Sequence, residues 1–335
     1  MDVNKLPKHI FSGRIKNSGH VQGIATDGEY MYYSFTTLLL KTDLAGNPVG
    51  SVTGLTGHLG CIAWSEADRC VIGSLEYKND AIGRGILAKT GRGGVNPDTF
   101  YIARFEADKI GSMNLDAAES DIMSVVKLDD VCEDYLFDDR MIKHRFGCSG
   151  IDGITIAPDF MGGRSILVAY GIYGDITRSD NDCQVLLRFD ADRIRPEFKP
   201  LTSGGSAGLK DDDRLFVYTG NTTYGVQNLE YDLYTDCILA AVYKGKKPEF
   251  PNYSMYFIGP RPFMRDGKLW LPLAERGQLH APTGIRGCNF AYGSTGMISL
   301  GGGYYYFSED GSDGSEFYTD VYMYRLVGDC GFERV

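Results

Sequence analysis

Apolar residues recur along this chain in short runs broken by turn residues, and they alternate more nearly with the period of a strand than with that of a helix. Five stretches open on a polar residue or Gly and turn into a strand-like run: "HVQGIATD" from His20, "HLGCIAWS" from His58, "GIDGITIA" from Gly150, "GVQNLEYD" from Gly225 and "GCNFAYGS" from Gly287. Each is followed by a second run, "YMYYSFT", "RCVIGSLEY", "SILVAYGIY", "CILAAVY" and "MISLGGGYYYF", whose small and β-branched residues suit a strand buried on both faces. A third run recurs as "LLLKTD", "FYIARFEAD", "QVLLRFDAD", "SMYFI" and "VYMYRLV", and a fourth is visible in "NPVGSV".

Repeated units of short antiparallel strands at unequal spacing predict sheets arranged radially with loop insertions. The expected fold is therefore all-β: a five-bladed β-propeller occupying residues 1–335 as a single domain. The last unit lacks an outer strand, and "HIFSGRIK", His9 to Lys16, stands ahead of the first unit where it can supply one and close the ring. A sixth blade is the alternative if "GKLWLPLAERG", Gly267 to Gly277, belongs to a separate unit. Between units two and three, Leu115 to Arg140 combines helical apolar spacing with many acids and predicts a short helical insertion.

Composition agrees with a compact strand-rich protein: 335 residues, 43% apolar, 43 Gly, 22 Tyr and 17 Phe. Disorder is excluded on the same grounds. The formal net charge of −10 argues against a nucleic-acid backbone or an anionic membrane as the main partner. Absence of an apolar leader or of any run of about 18 apolar residues leads to the expectation of a cytoplasmic protein. Its eight cysteines show no CxxC pair or zinc-finger spacing and read as buried thiols. Acceptor-like triplets at Asn221 and Asn252 read as chance without a secretory signal.

The opening residues of a blade's innermost strand lie at one mouth of the channel, together with the loops joining second to third strands. This gathers His20, Gln22, His58, Asp152, Gln227 and Asn289 around one end. Loops on a rigid scaffold are where binding residues concentrate. His20, His58 and Asp152 are the candidate catalytic residues, since imidazole beside carboxylate and amide suits general acid–base work near neutral pH. Gln22, Glu76, Tyr224, Gln227 and Asn289, with Arg84 and Arg92 from the Gly-rich stretch Gly83 to Gly94, are candidate substrate contacts. His144 and His280 precede predicted strand starts and are candidate ligands for a divalent ion, calcium or manganese. The plainer reading of the histidines is that they satisfy backbone groups at strand entrances. Glu230, three residues after Gln227, is a further carboxylate whose direction depends on strand register.

Two resemblances rest on these segments. "HVQGIATDGEYMYYSFTTLLLKTDLAGNPVG" resembles the opening blade of plant-type glutamine cyclotransferases, in which a Gln-Gly pair precedes a strand and an LxxxDLxxGxxV-like segment follows. The likeness covers the first unit and implies a five-bladed propeller. The polar, aromatic mouth resembles that of carbohydrate-active propellers, some of which cleave acidic sugars with a His/Gln metal cluster. Together these lead to the expectation of an enzyme that breaks a glycosidic bond of a small glycan at the channel mouth, by hydrolysis or elimination. A non-catalytic ligand- or protein-binding propeller is the competing expectation, and a glutamine cyclotransferase-like enzyme, implied by the first resemblance, is the other alternative.

Overall fold

The computed structural model describes residues 2–90, 98–119, 121–201 and 208–335. Strands form five blades in a ring, a five-bladed β-propeller. The innermost strands are Val21–Thr26, His58–Ser65, Cys148–Pro158, Thr222–Asp232 and Met297–Gly301. Blade one continues through Tyr30–Phe35, Leu38–Asp43 and Pro48–Thr53, each antiparallel to the last. Blade two follows the same order through Cys70–Tyr77, Thr99–Glu106 and Met123–Lys127.

Closure of the ring is made by the N-terminus. His9–Phe11 pairs antiparallel with the third strand of blade five, with Ile10 opposite Val321. The core sits between blades rather than within one centre: five buried apolar clusters occur, each drawing mainly on two neighbouring blades. One of them unites Ile10, Val21 and Tyr33 with Tyr306 and Val321, so the first and last blades bury surface against each other. The large side chains Tyr33, Phe35 and Tyr306 fill the space between these two blades.

The fold removes the six-blade alternative, moves the start of the fifth unit and narrows the helical insertion. Residues 267–277 form no sixth blade. Lys268–Trp270 pairs with the outer strand of blade three, Leu215 opposite Leu269, while Gly259 N–H donates to Pro272 O and patches the edge of blade four. The fifth unit does not begin at Gly287, because Cys288 bridges Met255 on that same edge and the true innermost strand starts at Met297. A Gly-rich segment with weak alternation was mistaken for a strand start. The stretch 115–140 holds one short helix, Asp129–Tyr135, while Met123–Lys127 is the outer strand of blade two. Asp129, Asp130, Glu133 and Asp134 belong to the helix, and Val125 and Val126 to the sheet.

A helix was missed at Ala81–Thr90, where the sequence suggested a loop. Two glycines within it lowered its apparent propensity. None of the described helices is long and apolar enough to cross a membrane.

Candidate functional site

Bulges at the channel mouth decide which side chains face inward. The ladder between the first and second strands shifts register at Val21/Gly23 in blade one, Leu59/Ile62 in blade two, Ile151/Ile154 in blade three and Val226/Asn228 in blade four. A bulge places two residues against one and re-aims a side chain that strict alternation would send elsewhere. Gln22, Asp152 and Gln227 fall within these shifts. All three line one cavity of about 480 Å³, together with His20, His58 and Tyr224.

The chemistry is concentrated where blades two and three meet. His58 Nδ1 lies 3.3 Å from Glu76 Oε1 and 3.9 Å from Asp152 Oδ1. Lys78 Nζ stands 2.5 Å from Glu76 Oε1 and donates to Ser149 O at 2.9 Å. The second Glu76 oxygen accepts from Ile151 N–H at 3.1 Å. Glycines make the room for this: a Cβ at Gly150, where φ is +117°, would overlap Glu76, and one at Gly60 would lie 2.7 Å from Asp152 Oδ1. Gln227 Nε2 donates to Asp152 Oδ2 at 3.3 Å and to Tyr224 O at 3.1 Å.

These surroundings drive the two carboxyls apart. Burial pushes Asp152 up, and although the His58 imidazole pulls it back, the neighbouring Glu76 charge adds to the rise, leaving it near neutrality at about 7. Glu76 is also buried, but Lys78 and His58 outweigh that cost and hold it below the usual carboxylate range. For His58 burial again opposes charge, and the Glu76 carboxylate 3.3 Å away together with the Asp152 charge overcomes it, so its value is raised. The Glu76 side chain is only 3% exposed and that of Asp152 15%. Glu76 is therefore a buried anchor, and Asp152 and His58 are the titratable pair at the wall.

His20 and Gln22 meet through His20 Nε2 and Gln22 Nε2, 3.0 Å apart, and Gln22 also donates to Thr36 Oγ1 at 3.3 Å. Behind them Asn228 Nδ2 donates to Gln22 O at 2.8 Å and Ser294 O at 2.9 Å, tying blade four to blade one and to the approach to blade five. The mouth loops of blades three and four are joined by Lys247, which is 3% exposed and whose ammonium contacts Asn181 Oδ1 at 2.9 Å and Asp182.

Not every expected residue reaches this place. Asn289 rims a second cavity instead, since its segment belongs to the edge of blade four. Arg84 is absent from the cavity wall because its guanidinium turns back from the helix Ala81–Thr90 to Asn79 O ahead of it, while Gly85 and Ile86 of that helix line the cavity. Arg92 lies outside the described residues. His144 is packed between the rings of Tyr135 and Tyr173, 4.9 and 5.0 Å away, with Nδ1 2.6 Å from Tyr135 O. His280 sits on the hairpin Gln278–His280 to Ile285–Gly287, its Nδ1 2.8 Å from Thr283 Oγ1. Neither lines the cavity, and among the described residues no group of three or more His, Cys, Asp or Glu side chains is arranged to hold a metal ion. Asn221, buried and accepting from Lys246 N–H, is no glycan acceptor.

Lys78 escaped the sequence reading although its signal was present: it follows Glu76 by two residues at a strand end, which places both on one face. Asn228 and Lys247 left no such trace, because their partners are distant in sequence.

No protein-family model matches this chain, and no curated protein matches it. The likeness to glutamine cyclotransferases is thus without support from these comparisons. Among solved structures, one described as a "putative exo-beta-1,3-galactanase" from Bifidobacterium bifidum s17 is 9% identical at a TM-score of 0.43, over 96% of this chain and 92% of that one. A protein of unknown function from Bacteroides caccae is 12% identical at 0.31, over 76% and 82%. The Dos1 propeller is 10% identical at 0.33, over 90% and 69%.

Proposed function

We propose that this protein is an enzyme that cleaves a glycosidic bond of a small glycan, with Asp152 and His58 as its acid–base pair. The observation that carries this reading is the convergence of His58, Asp152, Gln227 and Tyr224 from three blades on one cavity of about 480 Å³. That volume lies within the range that encloses a small ligand, roughly 300–1,000 Å³. Exposed Tyr224 and half-buried Tyr243 supply ring faces for a sugar, and the amides of Gln22 and Gln227 supply hydrogen bonds to hydroxyls.

The division of labour follows from the electrostatics. Asp152 near neutrality keeps a proton over much of the physiological range, which fits it to protonate a leaving glycosidic oxygen. After that transfer the Asp152 carboxylate, steadied by the imidazole 3.9 Å away, takes the proton of the attacking water in hydrolysis or of the sugar C–H in elimination, and so regains its acid form. Glu76, 3.3 Å from Nδ1 at the foot of the cavity wall, orients the imidazole and favours its charged form. A two-carboxylate glycosidase needs a second carboxylate open to the substrate. Glu76 does not meet that need, so the remaining step at the sugar falls to water or to elimination. Turnover of neutral and uronate-containing oligosaccharides tests the reading, with a double bond in the product distinguishing elimination from hydrolysis. Asp152→Asn and His58→Ala should each abolish turnover while the fold persists; activity retained in both would overturn it.

A second reading has its own support. Several mouth groups are paired with each other, His20 with Gln22 and Gln227 with Asp152, as expected of a propeller that binds a ligand without transforming it. Binding of an oligosaccharide with no product would favour that reading.

A further inference from the structure

A second cavity of about 450 Å³ opens beside the first, and Tyr243 lines both. Its remaining wall is built from Lys244 and Ser254 on blade four and from residues 289–294, with Asn289 exposed and Phe290 and Tyr292 half-buried. The two spaces differ in kind. The first holds the buried carboxylates and imidazole, whereas among the described residues Lys244 is the one charged side chain lining the second.

The second wall has a fixed shape. Ser254 Oγ donates to Phe290 O at 2.7 Å and accepts from Phe290 N–H at 2.9 Å, while Cys288 and Met255 exchange backbone hydrogen bonds. Phe290 is caged by Phe307 at 4.7 Å and Phe332 at 4.9 Å, and Tyr292 leans on Tyr324 at 6.1 Å. An aromatic ring held by other rings offers a face at little entropic cost, which is the requirement for stacking a sugar. Tyr243 is the wall the two spaces share, so a ligand that crosses it enters the cavity lined by Asp152 and His58.

We infer that the second cavity is a distal subsite for uncharged sugar rings, so that the ligand is an oligosaccharide running from the Asp152–His58 cavity across Tyr243 to Asn289 and Tyr292. This deepens the glycan reading given above and rests on it for the nature of the ligand. The site is recognition surface alone, because it contains no group able to exchange a proton near neutral pH.

The test is a length series of neutral and uronate-containing oligosaccharides, two to six units long, with binding measured by calorimetry and turnover by product analysis. Wild-type protein should bind the longer members more tightly than the disaccharides. Tyr292→Ala and Asn289→Ala should each remove that gain, by up to about tenfold for an aromatic contact, and leave disaccharide binding unchanged. Tyr292→Phe keeps the ring and should keep the gain, which separates loss of the stacking face from loss of the fold. Wild-type affinity independent of length, or equal loss for short and long ligands in Tyr292→Ala, would overturn the subsite. Length-dependent binding without any turnover would uphold the subsite and defeat the cleavage reading. Length-independent turnover that His58→Ala abolishes would do the reverse, and binding of no oligosaccharide would defeat both.

Discussion

Lys78 Nζ and Glu76 Oε1 are 2.5 Å apart, in side chains 8% and 3% exposed, directly behind the imidazole of His58. A buried ion pair of this kind costs solvation on both sides and becomes most conspicuous when one partner is removed. Glu76→Gln should destabilise the protein by about 3 kcal/mol, since the buried Lys78 ammonium would keep Ser149 O and only the longer contact to Asp80 Oδ2 at 3.8 Å. Lys78→Met combined with Glu76→Gln should recover much of that loss. Chemical denaturation of the two single variants and the double variant measures the coupling; additive losses would show that the pair acts independently.

Activity should follow the titration of Asp152. Its carboxyl is raised to about 7 by burial and by the Glu76 charge, so an acid that must be protonated to work loses function as pH climbs through that value. The alkaline limb of kcat/KM should fall near neutrality in the wild type. Conservative replacement of the neighbour Gln227 by Leu removes an amide that favours the ionised form, and the limb should move to higher pH. A limb that stays in place would separate Asp152 from the reaction.

Glu230 predicts a stability effect of the opposite location. It is half-buried, its Oε1 accepting from Ser299 N–H at 2.8 Å, and burial pushes it up to about 8, with the Asp232 charge adding to the rise. The native fold thus favours the neutral acid. Its contribution is complete below the ordinary value near 4.5 and is lost as pH rises through about 8. Glu230→Gln retains the carbonyl acceptor and should raise the melting temperature at pH 8 more than at pH 5. An equal shift at both pH values would contradict the assignment.

Ring closure rests on two short N-terminal strands, His9–Phe11 and Ile15–Lys16, both paired with the third strand of blade five. Ile10 is 2% exposed within the cluster that joins blades five and one, so Ile10→Ala should cost about 2–5 kcal/mol. Thermal or denaturant unfolding measures it. His9→Ala, at an exposed position whose ring stacks on Tyr322, should cost far less.

The sequence by itself determined the architecture. Alternating apolar runs on both sides of short turns specify strands, their repetition specifies blades, and a unit short of one strand beside an unattached one at the N-terminus specifies closure, because each of these signals is local or periodic. His20, Gln22, His58, Asp152, Tyr224 and Gln227 were legible for the same reason: they occupy corresponding places in repeated units. What only the tertiary structure decided is how those side chains point and what stands behind them. Register shifts at the strand starts aim Asp152 and Gln227 into the cavity, and no composition or spacing reveals where a ladder slips. Contacts made across blades, such as Lys78 with Ser149, Asn228 with Gln22 and Lys247 with Asn181, join residues 71, 206 and 66 positions apart. Asn289 shows the converse: a Gly-rich stretch imitated a strand start, and its hydrogen bonds to blade four moved it to a different cavity. Burial and charge, which set Asp152 and Glu76 apart, are properties of that assembled neighbourhood and of no segment within it.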